Sequence, residues 1–159
     1  MTMTARNLCR IAAVAALTLA GLAHADQCPA DKVGKNDLPG AATAPVGVVD
    51  TELASIDLST ENVKLDHRRL RLRHMTIAPG GIVPLHSHED RPALIQVNSG
   101  EIYEYNSKCT VPILHKAGDV AREFLGTKHW WKNTGTQAVD LTIGDIVNDQ
   151  KPATMEKMM

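Results

Sequence analysis

Aromatic side chains are almost missing from this chain of 159 residues: 3% of it, namely Tyr103, Tyr105, Phe124, Trp130 and Trp131. The core must therefore rest on Val, Ile and Leu, with aromatic contacts confined to one stretch. Basic charge is not in excess either. Lys and Arg number 17 against 18 Asp and Glu, for a formal net charge of -1, which argues against nucleic-acid binding as a main role. Cysteine is sparse, at three residues, and no two form a C-x-x-C pair, so metal ligation by thiolates is disfavoured. Beyond the N-terminal region no segment of ten or more residues carries helical periodicity. What remains is 43% hydrophobic and 22% charged, the composition of about one globular domain.

The longest charge-free apolar run is Ile11 to Ala23, thirteen residues rich in Ala and Leu. A membrane span needs about 20. Arg6 and Arg10 precede the run, and Ala23-His24-Ala25 follows it with small residues where a signal peptidase looks. Residues 1–25 are therefore expected to be a secretory signal cut before Asp26, rather than an anchor. Cleavage removes two arginines and no acid, leaving 134 residues with a net charge of -3. The expected location is periplasmic or secreted, without stable membrane anchoring. Cys9 leaves with the signal, and Cys28 and Cys109 remain as an even pair. In an oxidising compartment a disulfide between them is expected, two unrelated thiols being the alternative.

Residues 26–64 are rich in Gly, Pro and Ala and read as an arm, with Val46 to Val49 as a short edge strand. Residues 65–147 alternate strand and turn. Leu70 and Leu72 alternate with Arg69, Arg71 and Arg73, the period-two pattern of a half-buried strand. Its apolar parity then switches to Met75 and Ile77, which predicts a bulge near His74. Pro79-Gly80-Gly81 reads as a turn. Further strands are expected at 82–88, 93–97, 102–105, 111–116, 120–124, 129–132 and 138–147. Short strands at this spacing predict an all-β sandwich or barrel. Residues 148–159 read as a loose tail, although its methionines could meet a soft metal.

His86-Ser87-His88 follows the Gly-Gly turn, and on an extended strand residues two apart share a face. His129 opens a later strand. Three neutral imidazoles make a good ligand set for a divalent transition metal (Fe, Mn, Zn, Ni or Cu) with positions left open. Gly80, His86, His88 and Gly100, then Gly118, Gly126, His129 and Asn133, stand at spacings that resemble the two motifs of the cupin family. Eight of ten defining positions are met. The resemblance implies a cupin-type double-stranded β-helix, or jelly-roll barrel, with an extended N-terminal arm. It also implies metal-ligand roles for His86, His88 and His129, and a homodimer.

Two motif positions differ. Phe124 stands where a proline is expected, and Ala93 where the family places its glutamate ligand. A methyl group cannot bind metal. Either three histidines suffice, or Glu89, Asp90 or Glu123 substitutes, although a solvated carboxylate is the blander reading of each. Three neutral ligands leave a divalent ion more of its charge, which favours anionic ligands. Trp131 shares the face of His129 and is either a pocket wall or core. Arg69, Arg71 and Arg73 are expected on a solvated face, the alternative being a clamp for an acidic ligand. His67, His74 and His115 are expected to be exposed, and Asn133 to fix a turn. No catalytic residue is assigned. The expected function is an exported metal-binding cupin acting on a small molecule, dioxygenase-like if it is an enzyme. The alternative is a non-catalytic module that binds metal or a small ligand.

Overall fold

Turn residues divide the chain into short extended pieces, and these pieces pair. The computed structural model describes residues 28–150, so the expected signal over 1–25 and the tail from 151 onward lie outside the described residues. A single 3-10 turn, Ala30–Lys32, precedes eight strands. They are β1 (Val46–Asp57), β2 (Arg68–Ser87), β3 (Ala93–Ser99), β4 (Glu101–Asn106), β5 (Ile113–Lys116), β6 (Val120–Glu123), β7 (Lys128–Lys132) and β8 (Val139–Asn148). All named pairings are antiparallel. The sheet order is β5-β4-β7-β2-β8-β3-β6, with β1 added along β2, and the sheet curls into a nearly closed barrel. The core inside it is aliphatic, built on Ile77, Val97, Ile102, Val139 and Leu141 with Trp131 as the large ring. Each such aliphatic side chain contributes about 1.5–3 kcal/mol on burial.

β2 is the long element that organises the barrel. Pro79-Gly80-Gly81 does not end it, contrary to the turn expected there. It is a corner within one continuous strand, where pairing passes from β1 and β8 to β7. Gly80 adopts φ +74, a conformation that favours glycine. A Cβ on Gly81 would meet Ala78 O and Ile77 Cγ2 at 2.7 Å. Asn133 ties the corner: its Nδ2 donates to the carbonyls of Ile77, Ala78 and Gln137, and its Oδ1 accepts from Gly135 N. The turn-fixing role expected for Asn133 is what its contacts show.

The parity of β2 differs from the expectation. Arg71 and Arg73 are buried at 7% and 4% exposure, whereas Leu70 and Leu72 stand outward at 43% and 42%. Arg71, Arg73, Met75 and Ile77 all face inward, so no switch occurs and β2 has no bulge at His74. Near His74 the irregularity lies in β1, between Glu52 and Ala54, and β2 itself shifts register against β7 only further on, between Val83 and His86. The arginines turn inward because Asp145 of β8 pairs with them, as described below. β1 is also longer than the edge strand expected at Val46 to Val49, since β2 offers it a long free edge.

Cys28 and Cys109 form a disulfide with Cα atoms 5.5 Å apart. Around it, Gly34 N and Asn36 N donate to Lys108 O and Ser107 O, and Thr110 N donates to Lys32 O. The bridge fastens an arm with few apolar anchors and closes a loop spanning 81 residues of sequence. Replacing both cysteines by serine is expected to lower stability by about 2–4 kcal/mol, mainly by freeing the unfolded chain. Urea denaturation of the oxidised protein and the double variant checks this, and coincident midpoints would contradict it.

Candidate metal centre

β2 and β7 pair with His86 directly opposite His129, and His88 lies two residues on from His86, on the same face. The register therefore carries all three imidazoles into one end of the barrel. The three Nε2 atoms are 3.1, 3.0 and 2.8 Å apart, and the rings are 8%, 2% and 0% exposed. They form one cluster able to hold a metal ion.

The other ring nitrogens fix where the lone pairs point. His86 Nδ1 lies 2.8 Å from Pro84 O, and His88 Nδ1 lies 2.6 Å from Arg91 O. A carbonyl only accepts, so each Nδ1 carries the proton and each Nε2 presents a lone pair. His129 Nδ1 lies 2.9 Å from Glu104 Oε1 and 3.3 Å from Glu123 Oε1. The Trp131 indole nitrogen also reaches it at 3.0 Å, but an ionised carboxylate is the stronger partner and holds the proton on Nδ1. The three Nε2 atoms thus converge on one point, and once the proton on His129 Nε2 is lost they present three lone pairs to it. Carbonyl and carboxylate groups behind ligating imidazoles are the usual support of a metal centre. Nitrogens about 2.1 Å from an ion and at right angles around it would be about 3.0 Å apart, against about 3.4 Å for tetrahedral bonds. The observed separations fit the first arrangement.

Electrostatics divide the three rings. Burial, with the charge of His129 added, holds His86 well below the usual imidazole range and brings His88 down to about 3. Both are neutral at pH 7. Burial opposes charge on His129 as well, but Glu123 and Glu104 outweigh it and hold His129 up at about 9. Burial would raise Glu104, yet the hydrogen bonds from His115 and His129 keep it well below the ordinary carboxylate range. Glu123 is raised, chiefly by burial.

A metal ion must displace the proton that His129 shares with its neighbours. Metal affinity is therefore expected to rise about tenfold per pH unit between pH 7 and 9 and then level off. Competition against a chelator of known affinity at each pH checks this, and a flat profile over that range would contradict it.

Several sequence expectations need correction here. His115 is not exposed: it is fully buried, donates through Nε2 to Glu104 Oε2 at 2.8 Å, and stacks on Trp131 at 4.7 Å. Glu123 is not solvated but 2% exposed. It stands beside Ala93 in the β3–β6 register and turns toward the back of His129, away from the converging lone pairs. Glu89 is exposed, and Asp90 bonds Arg68 and Asn148. Among the described residues, no carboxylate joins the three-histidine cluster. A second cluster, Glu104, Glu123 and His129, lies behind it and was missed by the sequence reading in the case of Glu104. His74, partly exposed beside Asp140, and His67, which is exposed, stand apart from the site.

A small cavity of about 20 Å³ adjoins His86 and His88, walled by Met75, Val83, Ile95, Trp131, Leu141 and Ile143, with Arg73 and Arg91 at its edge. Trp131 thus serves both as pocket wall and as core.

Comparison with known proteins matches residues 73–144 to the family model described as a cupin domain. No curated protein sequence matches the chain. Among solved structures, a Thermotoga maritima protein described as a predicted oxalate decarboxylase is 21% identical, with a TM-score of 0.52, over 72% of this chain and 97% of its own. The cupin domain of Schizosaccharomyces pombe Cnp3 is 14% identical, with a TM-score of 0.50, over 72% of this chain and 74% of its own. At these identities the likeness is one of fold.

Proposed function

The chain belongs to the cupin family through its domain at residues 73–144, and from that premise we propose that it is an exported protein holding one divalent transition metal on His86, His88 and His129. The observation that carries this reading is the convergence of three Nε2 atoms within 2.8–3.1 Å of one another, each ring fixed by a partner on Nδ1. The metal centre is the place where a small molecule binds. A divalent ion there polarises and acidifies what occupies its open positions, and a redox-active ion would permit dioxygenase-type chemistry. The carboxylates nearby are committed elsewhere, Glu104 and Glu123 to His129 and Asp145 to arginines. Turnover, where it occurs, is thus an affair of the metal rather than of an acid–base pair; a module that binds without turnover is the second reading, favoured by the same commitment. The Cys28–Cys109 bridge fits an oxidising compartment, as does the secretory pattern of residues 1–25. Among the described residues no helix is long and apolar enough to cross a membrane.

The test is metal analysis of the full chain expressed for export and purified from the periplasm without chelator. About one divalent transition metal per chain is expected, on a protein beginning at Asp26. Wild-type metal content no higher than that of a His86→Ala, His88→Ala double variant would overturn the reading.

A further inference from the structure

Besides His86 and His88, the polar side chains lining the otherwise apolar cavity are Arg73 and Arg91. Arg73 is 4% exposed. Its Nη1 donates to Asp50 Oδ2, and its Nη2 lies 3.3 Å from Asp145 Oδ2. Its Nε–H is buried and has no hydrogen-bond partner. Leaving a charged donor unpaired in a dry site costs stability, and guanidinium groups take carboxylates through paired N–H bonds. Asp50 and Asp145 engage the two Nη groups of Arg73 and leave Nε–H over, and Asp145 is shared with Arg71 and lies 3.4 Å from Arg91 Nη1. The remaining donor is therefore available to an anion in the cavity.

We propose that Arg73 anchors the carboxylate of a one-carbon acid in the barrel cavity. The inference deepens the proposed function, since it rests on the cavity being the ligand site of the histidine centre. The carboxylate accepts from Arg73 Nε–H, and its C–H end faces the apolar lining of Met75, Val83, Ile95 and Leu141. The volume of about 20 Å³ is room for one or two waters, so the acid has few heavy atoms. The neighbouring histidines carry no negative charge to repel it, and an aromatic or sugar-sized ligand does not fit.

The test is calorimetric titration of the full chain with formate and with formamide, which share a shape and differ in charge. Both are run on zinc-loaded and on chelator-stripped protein. Formate is expected to bind about ten- to hundred-fold more tightly than formamide in both states. Arg73→Gln is expected to abolish most of that preference at unchanged metal content. Arg73→Lys keeps the charge beside Asp50 and Asp145 but lacks the Nε–H. It should lose the preference too, and it decides the matter if Arg73→Gln does not fold. Equal affinities for acid and amide in the wild type, or a preference that survives in a folded Arg73 variant, would overturn the proposal. A wild-type chain that retains no metal would sink the function proposed above, yet the stripped-protein comparison would still decide the role of Arg73.

Discussion

Replacing His129 by alanine is expected to abolish metal retention, with a loss of at least about a hundredfold in affinity. The effect exceeds that of a ligand deletion alone. His129 is the ring to which both buried carboxylates are attached, so its removal also leaves Glu104 and Glu123 without their shared partner. His86→Ala and His88→Ala should each come close to this, because two imidazoles rarely hold a metal against buffer. Glu104→Gln tests the support separately. It keeps the volume of the side chain but exchanges the charged acceptor behind His129 for a neutral one, and about a ten- to hundred-fold loss is expected. His115→Ala should cost less, as it removes one bond to Glu104 Oε2 while Asn106 Nδ2 still donates to Oε1. His67→Ala, at an exposed position, should change nothing. Metal content per chain after dialysis gives the ordering. Equal occupancy in the wild type and His129→Ala would refute the site.

The three histidines were legible because their signal is local. His86 and His88 share a strand face by period two, and the glycine spacing sets the loops that return His129 beside them. The positions of most strands along the chain were legible for the same reason, since turn residues mark nearly every break, whereas their order in the sheet was not. The polar interior was harder to see. Glu104 follows Ile102 at inward parity, Glu123 follows Ala121, His115 follows Ile113, and Asp145 sits between Ile143 and Val147. Each is a polar group in an otherwise apolar series, and an isolated carboxylate there needs a buried partner. That signal was present, but composition favours reading carboxylates as solvated. In β2 the ambiguity was complete: leucines and arginines alternate, and apolarity chose the wrong face. The ion pairs to Asp145 decide the parity instead, and they come from a strand about 70 residues away, which local patterning does not reach.

Asp145→Ala is expected to destabilise the fold by about 3–5 kcal/mol, a large share of the 5–15 kcal/mol typical of a domain. Asp145 is 1% exposed. It accepts from Arg71 Nε and Nη2 at 3.0 and 2.9 Å and faces Arg73 at 3.3 Å and Arg91 at 3.4 Å. Alanine would leave three guanidinium groups crowded around an apolar methyl, which is worse than deleting an ordinary pair because like charges remain buried together. Asp140→Ala removes a partly exposed partner of His74 and should cost less than about 1 kcal/mol. The pH dependence gives a second readout. Burial would raise the carboxyl of Asp145, but the Arg71 hydrogen bonds and the charges of Arg73, Arg71 and Arg91 prevail and lower it. Its folded value thus lies below its unfolded one, so its contribution is complete above the ordinary carboxylate range and is lost as pH falls through the lowered value. The stability gap between wild type and Asp145→Ala should therefore be widest near pH 7 and narrow on strong acidification. Urea denaturation of both proteins from pH 7 to pH 2.5 measures it. A gap below about 1 kcal/mol at pH 7 would mean that the arginines hold their inward positions without Asp145, and that the aliphatic layer above them sets the parity of β2.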